Sequence, residues 1–330
     1  MPEIYESAGV QLERVEVADP LGNIDYIYPL ERAKVDHILL AVELSSSHAT
    51  GDIVPLDADP DRFPAQGSYF MSSTPQTPEF IRLVGKEIDS RFPAIVDAVL
   101  DDPRKKDMLK RIGDTLAAGN NVVNAVPHGS LKDIGMLHGI MVIGLAELDY
   151  DIRSGTIISQ GVTGLGKEFA GKLLPLTNAL GHASNKVWYV TPRTKNAKNS
   201  RYANEVPQEL IDQQNRVNRV DIETEQKVGG MVITAAISGT SFVPDGDRLL
   251  IHPPNLSTLR LFAHSNTFMA VVSGDIDGRE DYVYEISSDL RQLSGTDEEL
   301  VQQGDEIMQE MTDGLNIDGD QTFVYNRAVI

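Results

Sequence analysis

The chain has 330 residues, 41% of them hydrophobic and 24% charged, with a formal net charge of −20 and no cysteine. That composition belongs to a globular protein with a real core rather than to a disordered chain. It excludes a disulfide framework, a thiolate metal site and a cysteine nucleophile, and the acidic balance argues against nucleic acid as a partner.

The N-terminus is acidic and lacks the basic-then-apolar pattern of a signal peptide. The longest apolar run, 134–148, is interrupted by His138 and Glu147. It falls short of the ~20 apolar residues that a membrane helix needs. The expected location is the cytoplasm.

Residues 1–77 carry little periodicity, with an apolar piece at 38–42 and an Asp- and Pro-rich loop at 52–64. Pro75 and Pro78 open a helical region in which Phe80, Leu83, Val84 and Ile88 recur at helical spacing. Pro93 is expected to break or kink that helix. A second helical stretch is expected over 104–118, stopped by Gly119.

From there the pattern changes. Residues 121–126 (NVVNAV) predict a strand, ended by Pro127, with His128-Gly129-Ser130 as the turn. Residues 131–150 predict a helix apolar on all sides and therefore buried. Residues 155–159 predict a strand, 165–180 a helix and 187–191 a third strand. Pro207 starts a long polar helix that runs to Lys227, and Gly229-Gly230 end it. Strands follow at 231–237 and 267–272, with Ser238-Gly239-Thr240-Ser241 between them.

Alternating strands and helices imply an α/β fold with a mainly parallel sheet flanked by helices, plus a partly helical N-terminal region. We divide the chain into an N-terminal region, 1–119, and an α/β domain, 120–330. Ligands of such sheets bind at the carboxyl ends of the strands. His128, the loop after the third strand and the Ser238 turn all fall at such ends.

His128 and Asp133 form the spacing H-x-x-x-x-D. The turn can bring the carboxylate to one imidazole nitrogen and leave the other facing the cleft. The aspartate would then stabilise the imidazolium that forms when the histidine accepts a proton. The plainer reading is a histidine in a strand-to-helix turn with Asp133 as a helix-terminal anion.

The pattern resembles the first motif of the glycerolipid acyltransferases, which act on glycerol 3-phosphate or its 1-acyl derivative. Further stretches are similar in the same order. They are Gly164-Leu165-Gly166-Lys167-Glu168-Phe169, then Val187-Trp188-Tyr189-Val190 with Arg193, then Ser238-Gly239-Thr240-Ser241. The likeness covers about 120–275. It implies an enzyme that transfers an acyl chain from a coenzyme A or acyl-carrier-protein thioester to a hydroxyl. His128 would be general base and Asp133 its partner. Gly129 and Ser130 amides would stabilise the oxyanion, and Gly239 and Thr240 would shape the acceptor site. No cofactor and no metal are implied. In the family the last block carries Glu and Arg where this chain has Ser238 and Ser241. The alternative is therefore an acyltransferase-like protein that binds lipid or acyl thioester without catalysis.

One basic island stands in the acidic chain. No acid occurs between Glu168 and Glu205, a window that holds Lys172, Lys186, Arg193, Lys195, Lys198 and Arg201. Lys186, Arg193 and Lys195 are candidates to hold a phosphate, of the acceptor or of coenzyme A. The competing reading is a solvated loop paired with the acidic stretch 275–320, whose bases are Arg279 and Arg291. The expected partners are an acyl thioester donor and a phosphorylated or hydroxyl lipid acceptor, with peripheral membrane contact left open.

Residues 161–167 (GVTGLGK) fit the spacing of a phosphate-binding loop, but Glu168 stands where a magnesium-binding Ser or Thr belongs. A P-loop phosphotransferase ranks last. Asp275-Ile276-Asp277-Gly278 and Asp318-Gly319-Asp320 read as turns rather than calcium loops. His138 reads as a satisfied core residue.

Overall fold

The structure is a computed structural model. It describes residues 4–7, 10–13, 15–18, 24–27, 82, 89–129, 131–158, 186–189, 208–238, 242–276, 279–316 and 322–326. The chain divides into two compact units. One takes 1–90 and 154–225, the other 91–153 and 226–330.

In the first unit, β1 (Ile4–Ser7) pairs antiparallel with β2 (Val10–Glu13), and β3 (Val15–Ala18) with β4 (Ile24–Ile27). These hairpins lie where the sequence offered little periodicity. The expected helix around 80–88 lies outside the described residues apart from Arg82, which is helical.

Pro93 follows the non-helical residues 89–91, and the helix expected to end before it lies outside the described residues apart from Arg82. Pro93 sits in the first turn of α1 (Phe92–Asp101), where its missing N–H costs nothing. Helix α2 (Pro103–Ala117) follows directly, capped by the Asp102 carboxylate, which accepts from the amides of Arg104 and Lys105. Both helices belong to the second unit.

That unit is built on β5 (Asn121–Val126), whose six residues are all buried. The expected long helix is α3 (Leu131–Ala146), ended by a turn at 147–149. In the first unit, but for Arg153, strand β6 (Arg153–Ile158) runs parallel to β7 (Lys186–Tyr189). The expected helix at 165–180 lies outside the described residues. The long polar helix is α4 (Gln208–Val228), and β8 (Met231–Ala236) follows the two glycines, both with positive φ.

Strand β9 (Val243–Asp245) and β10 (Arg248–Ile251) form a short hairpin, and α5 (Leu256–Phe262) leads into β11 (Thr267–Asp275). Strand β12 (Val283–Ile286) returns antiparallel beside β11. Helix α6 (Asp297–Leu315) and β13 (Phe323–Tyr325) complete the chain, β13 lying parallel to β10.

β5 is flanked by parallel neighbours, β11 on one side and β8 on the other. With β12 antiparallel the sheet is mixed, with parallel strands flanked by helices, as an α/β fold requires. A Cβ on Gly274 would run into Leu137 of α3, whereas the Ser273 hydroxyl donates to the Met311 carbonyl of α6 at 2.9 Å. Adjacent residues of a strand point to opposite faces, so α3 covers one face of this sheet and α6 the other. The core between them includes Ile134, Leu137, Met141, Val123, Val271 and Met308, each at most 2% exposed. Among the described residues no helix is long and apolar enough to cross a membrane.

Candidate functional site

Register fixes where the chain leaves the sheet. Val126 of β5 pairs with Ala236 of β8. His128 and Ser238 each stand two residues further on, so they leave the sheet at the same level, at the carboxyl ends of adjacent parallel strands. Both are buried, at 7% exposure. The carbonyl of His128 accepts from the Phe242 amide at 3.1 Å, which ties the turn after β5 to the start of the β9–β10 hairpin.

Burial acts on the His128 ring. Desolvation disfavours the imidazolium and lowers the pKa below the ordinary 6.5. Hydrogen bonds with the backbone of His128 and Gly129 oppose this. The net direction is downward, so the imidazole is neutral near pH 7 and able to accept a proton.

Asp133 lies in the first turn of α3 and is 2% exposed. Its Oδ1 accepts from the Ile276 amide at 2.9 Å, immediately beyond the end of β11. Its Oδ2 packs against Gly129, where an added Cβ would lie 2.6 Å away and 3.4 Å from the Phe242 ring. The turn between His128 and α3 therefore closes over the carboxylate only because residue 129 has no side chain.

Other expected site residues are placed as follows. Lys186 starts β7, in the first unit, and its side chain lies outside the described residues. Ser130, Arg193, Lys195, Gly239, Thr240 and Ser241 lie outside them too, as does the phosphate-loop candidate 161–167. The structure thus brings His128, Gly129, Asp133 and Ser238 to one end of one sheet. His138 is a core residue as expected, with Nδ1 2.9 Å from the Thr234 hydroxyl, which also accepts from Asn124 Nδ2 at 3.1 Å.

Asp275, expected as part of a turn, ends β11 and is paired through Oδ2 with Arg279 Nε at 3.0 Å. Asp277, Gly278 and Asp318-Gly319-Asp320 lie outside the described residues. Among the described residues, no group of three or more His, Asp or Glu side chains could hold a metal ion.

Sequence reasoning missed Phe242 and Ile276, whose amides bind His128 and Asp133 from outside the turn, and Arg279 and Phe323 beside them. The available signal was Arg279, one of two bases in an acidic stretch. Compared with known proteins, the chain matches no family model and no curated relative.

Proposed function

We propose that this protein is an O-acyltransferase. It would move a fatty acyl group from a coenzyme A or acyl-carrier-protein thioester to a hydroxyl acceptor of the glycerol 3-phosphate or lysophospholipid class. One observation carries the reading: His128 is an imidazole kept uncharged by burial, at the carboxyl end of a strand flanked by parallel neighbours, five residues ahead of a buried carboxylate.

The chemistry follows from that placement. His128 takes the proton of the acceptor hydroxyl as its oxygen attacks the thioester carbonyl. The tetrahedral oxyanion collapses, the C–S bond breaks, and the imidazolium returns its proton to the leaving thiolate. Asp133 supplies the negative charge that favours the imidazolium while it exists. The amides of Gly129 and Ser130 at the start of α3 would stabilise the oxyanion. Lys186, Arg193 and Lys195 are the proposed phosphate-holding cations, and Ser238 with the loop after it the acceptor-binding wall. Peripheral membrane contact would bring a lipid acceptor to this end of the sheet.

Thiol release from long-chain acyl-coenzyme A and acyl-carrier protein tests the reading. It is measured with and without glycerol 3-phosphate, lysophosphatidate and neutral alcohols. The chain has no cysteine, so a thiol reagent sees only the released carrier. Acceptor-dependent release is expected, reduced ~10²–10⁴-fold in His128→Ala. No release with any donor and acceptor would overturn it. Acyl-thioester binding without release would then favour the non-catalytic alternative, for which Ser238 and Ser241, in place of Glu and Arg, already speak.

A further inference from the structure

His128 and Asp133 are gripped by different parts of the chain, and the two grips meet at one side chain. On the first side, the Phe242 amide donates to the His128 carbonyl at 3.1 Å. The Phe242 ring packs edge-on against Phe323 of β13, with centroids 5.1 Å apart and planes at 66°. The Arg279 guanidinium lies over the Phe323 ring, 5.1 Å from its centroid.

On the other side, the Ile276 amide holds Asp133 Oδ1. Ile276 follows Asp275, whose Oδ2 is bound by Arg279 Nε at 3.0 Å. Arg279 also donates through Nη2 to the Leu315 carbonyl at the end of α6, at 3.2 Å. Arg91, before α1, fastens the same segment from outside. Its guanidinium donates to the carbonyls of Arg279 at 2.7 Å and Glu280 at 2.9 Å, and to that of Ile276.

We propose that Arg279 is a positioning residue for the His128–Asp133 pair, joining the β11 end that holds Asp133 to the Phe323–Phe242 rings that hold the His128 turn. The proposal rests on the reading of His128 as a general base. The residue type fits the task. A planar guanidinium can give one N–H to a carboxylate, another to a carbonyl, and its face to an aromatic ring at once; an ammonium can satisfy only part of that set. The burial fits too. The side chains are 22% and 8% exposed for Arg279 and Asp275, so removing the cation leaves a carboxylate nearly out of water. One of the two arginines in the acidic stretch 275–320 thereby acquires a reason.

The test uses the full chain with Arg279→Ala, Arg279→Lys and Phe323→Leu. The last keeps an apolar residue in β13 but removes the ring, so it reports even if Arg279→Ala fails to fold. Two readouts are taken: kcat and KM for acyl transfer, and the titration of the His128 imidazole by NMR, its signal assigned by its loss in His128→Ala. The charged and titratable groups on the elements around His128 include Lys132, Asp133 and His138 on α3, Asp275 at the end of β11 with Arg279 beyond it, and Asp245, Asp247 and Arg248 on the β9–β10 hairpin.

Arg279→Ala and Phe323→Leu are expected to lower kcat ~10- to 100-fold with KM little changed, since a small misplacement near the chemistry acts on the reacting geometry. Arg279→Lys should recover part of the loss. In the two disruptive variants the His128 titration should move up towards the ordinary imidazole range as water reaches the ring. A folded Arg279→Ala or Phe323→Leu protein with wild-type kcat and unchanged His128 titration would overturn the proposal. If wild type transfers no acyl group while the titration still shifts, acyl transfer falls and the positioning role stands.

Discussion

Burial gives His128 a consequence for stability as well as for chemistry. Its folded pKa lies below the ordinary 6.5, so between the two values the unfolded chain binds more protons than the folded one. Stability therefore rises with pH through that window and is lost as pH falls below the ordinary value. Unfolding midpoints in urea, followed from about pH 7 to about pH 5, should drop more steeply for wild type than for His128→Gln. Equal slopes would mean that water reaches the ring in the folded state. Gly129 bears on the same spot. An alanine Cβ there would meet Asp133 Oδ2 at 2.6 Å, on a carboxylate already held by Ile276. Gly129→Ala should cost ~1–3 kcal/mol by overpacking, read from denaturant melts. It should also reduce acyl transfer, because the carboxylate can yield only by leaving the Ile276 amide.

At the scale of elements, helix α6 shows what local sequence can and cannot say. Its start is a full capping box: the Thr296 hydroxyl accepts from the Glu299 amide at 3.4 Å, and Glu299 Oε2 accepts from the Thr296 amide at 2.6 Å. Thr296→Ala should destabilise the protein by ~1 kcal/mol in thermal or urea unfolding, with little effect on kcat, because that cap lies at the opposite end of α6 from Leu315. An unchanged midpoint would mean the first turn of α6 contributes nothing. The T-x-x-E signature is present in the sequence, but no helix was expected after it. Strands β5, β8 and β11 were legible because apolar runs stood between Pro and Gly punctuation. Strands β9, β12 and β13 were not. They have three or four residues, and β9 is wholly exposed, so no periodicity marks them. His128 and Asp133 could be placed from the sequence because one precedes α3 and the other stands in its first turn. Their supports could not be, since Ile276 lies 143 residues from Asp133 in sequence and only the sheet brings them together.

The whole molecule carries a net charge of −20, and its compact state holds those charges closer together than the unfolded chain does. Folding therefore works against self-repulsion, which salt screens: the Debye length falls from roughly 30 Å at 0.01 M to about 8 Å at physiological ionic strength. Salt also weakens the favourable pairs. Exposed pairs such as Arg111–Asp289 and Arg219–Glu223 contribute ~0–1 kcal/mol each. The repulsion is long-ranged and sums over the chain, so its screening should win. The melting temperature is expected to rise as sodium chloride increases from about 10 to about 200 mM. The single tryptophan offers a probe: Trp188 is 0% exposed, and its Nε1–H donates to Asp221 Oδ2 at 2.7 Å within the unit of 154–225. Its fluorescence follows that unit, while far-UV circular dichroism follows both. If both midpoints rise with salt, self-repulsion dominates throughout the protein. A fall in the Trp188 midpoint alone would locate the balance in that unit, where the basic island offers the acids partners that salt would screen away.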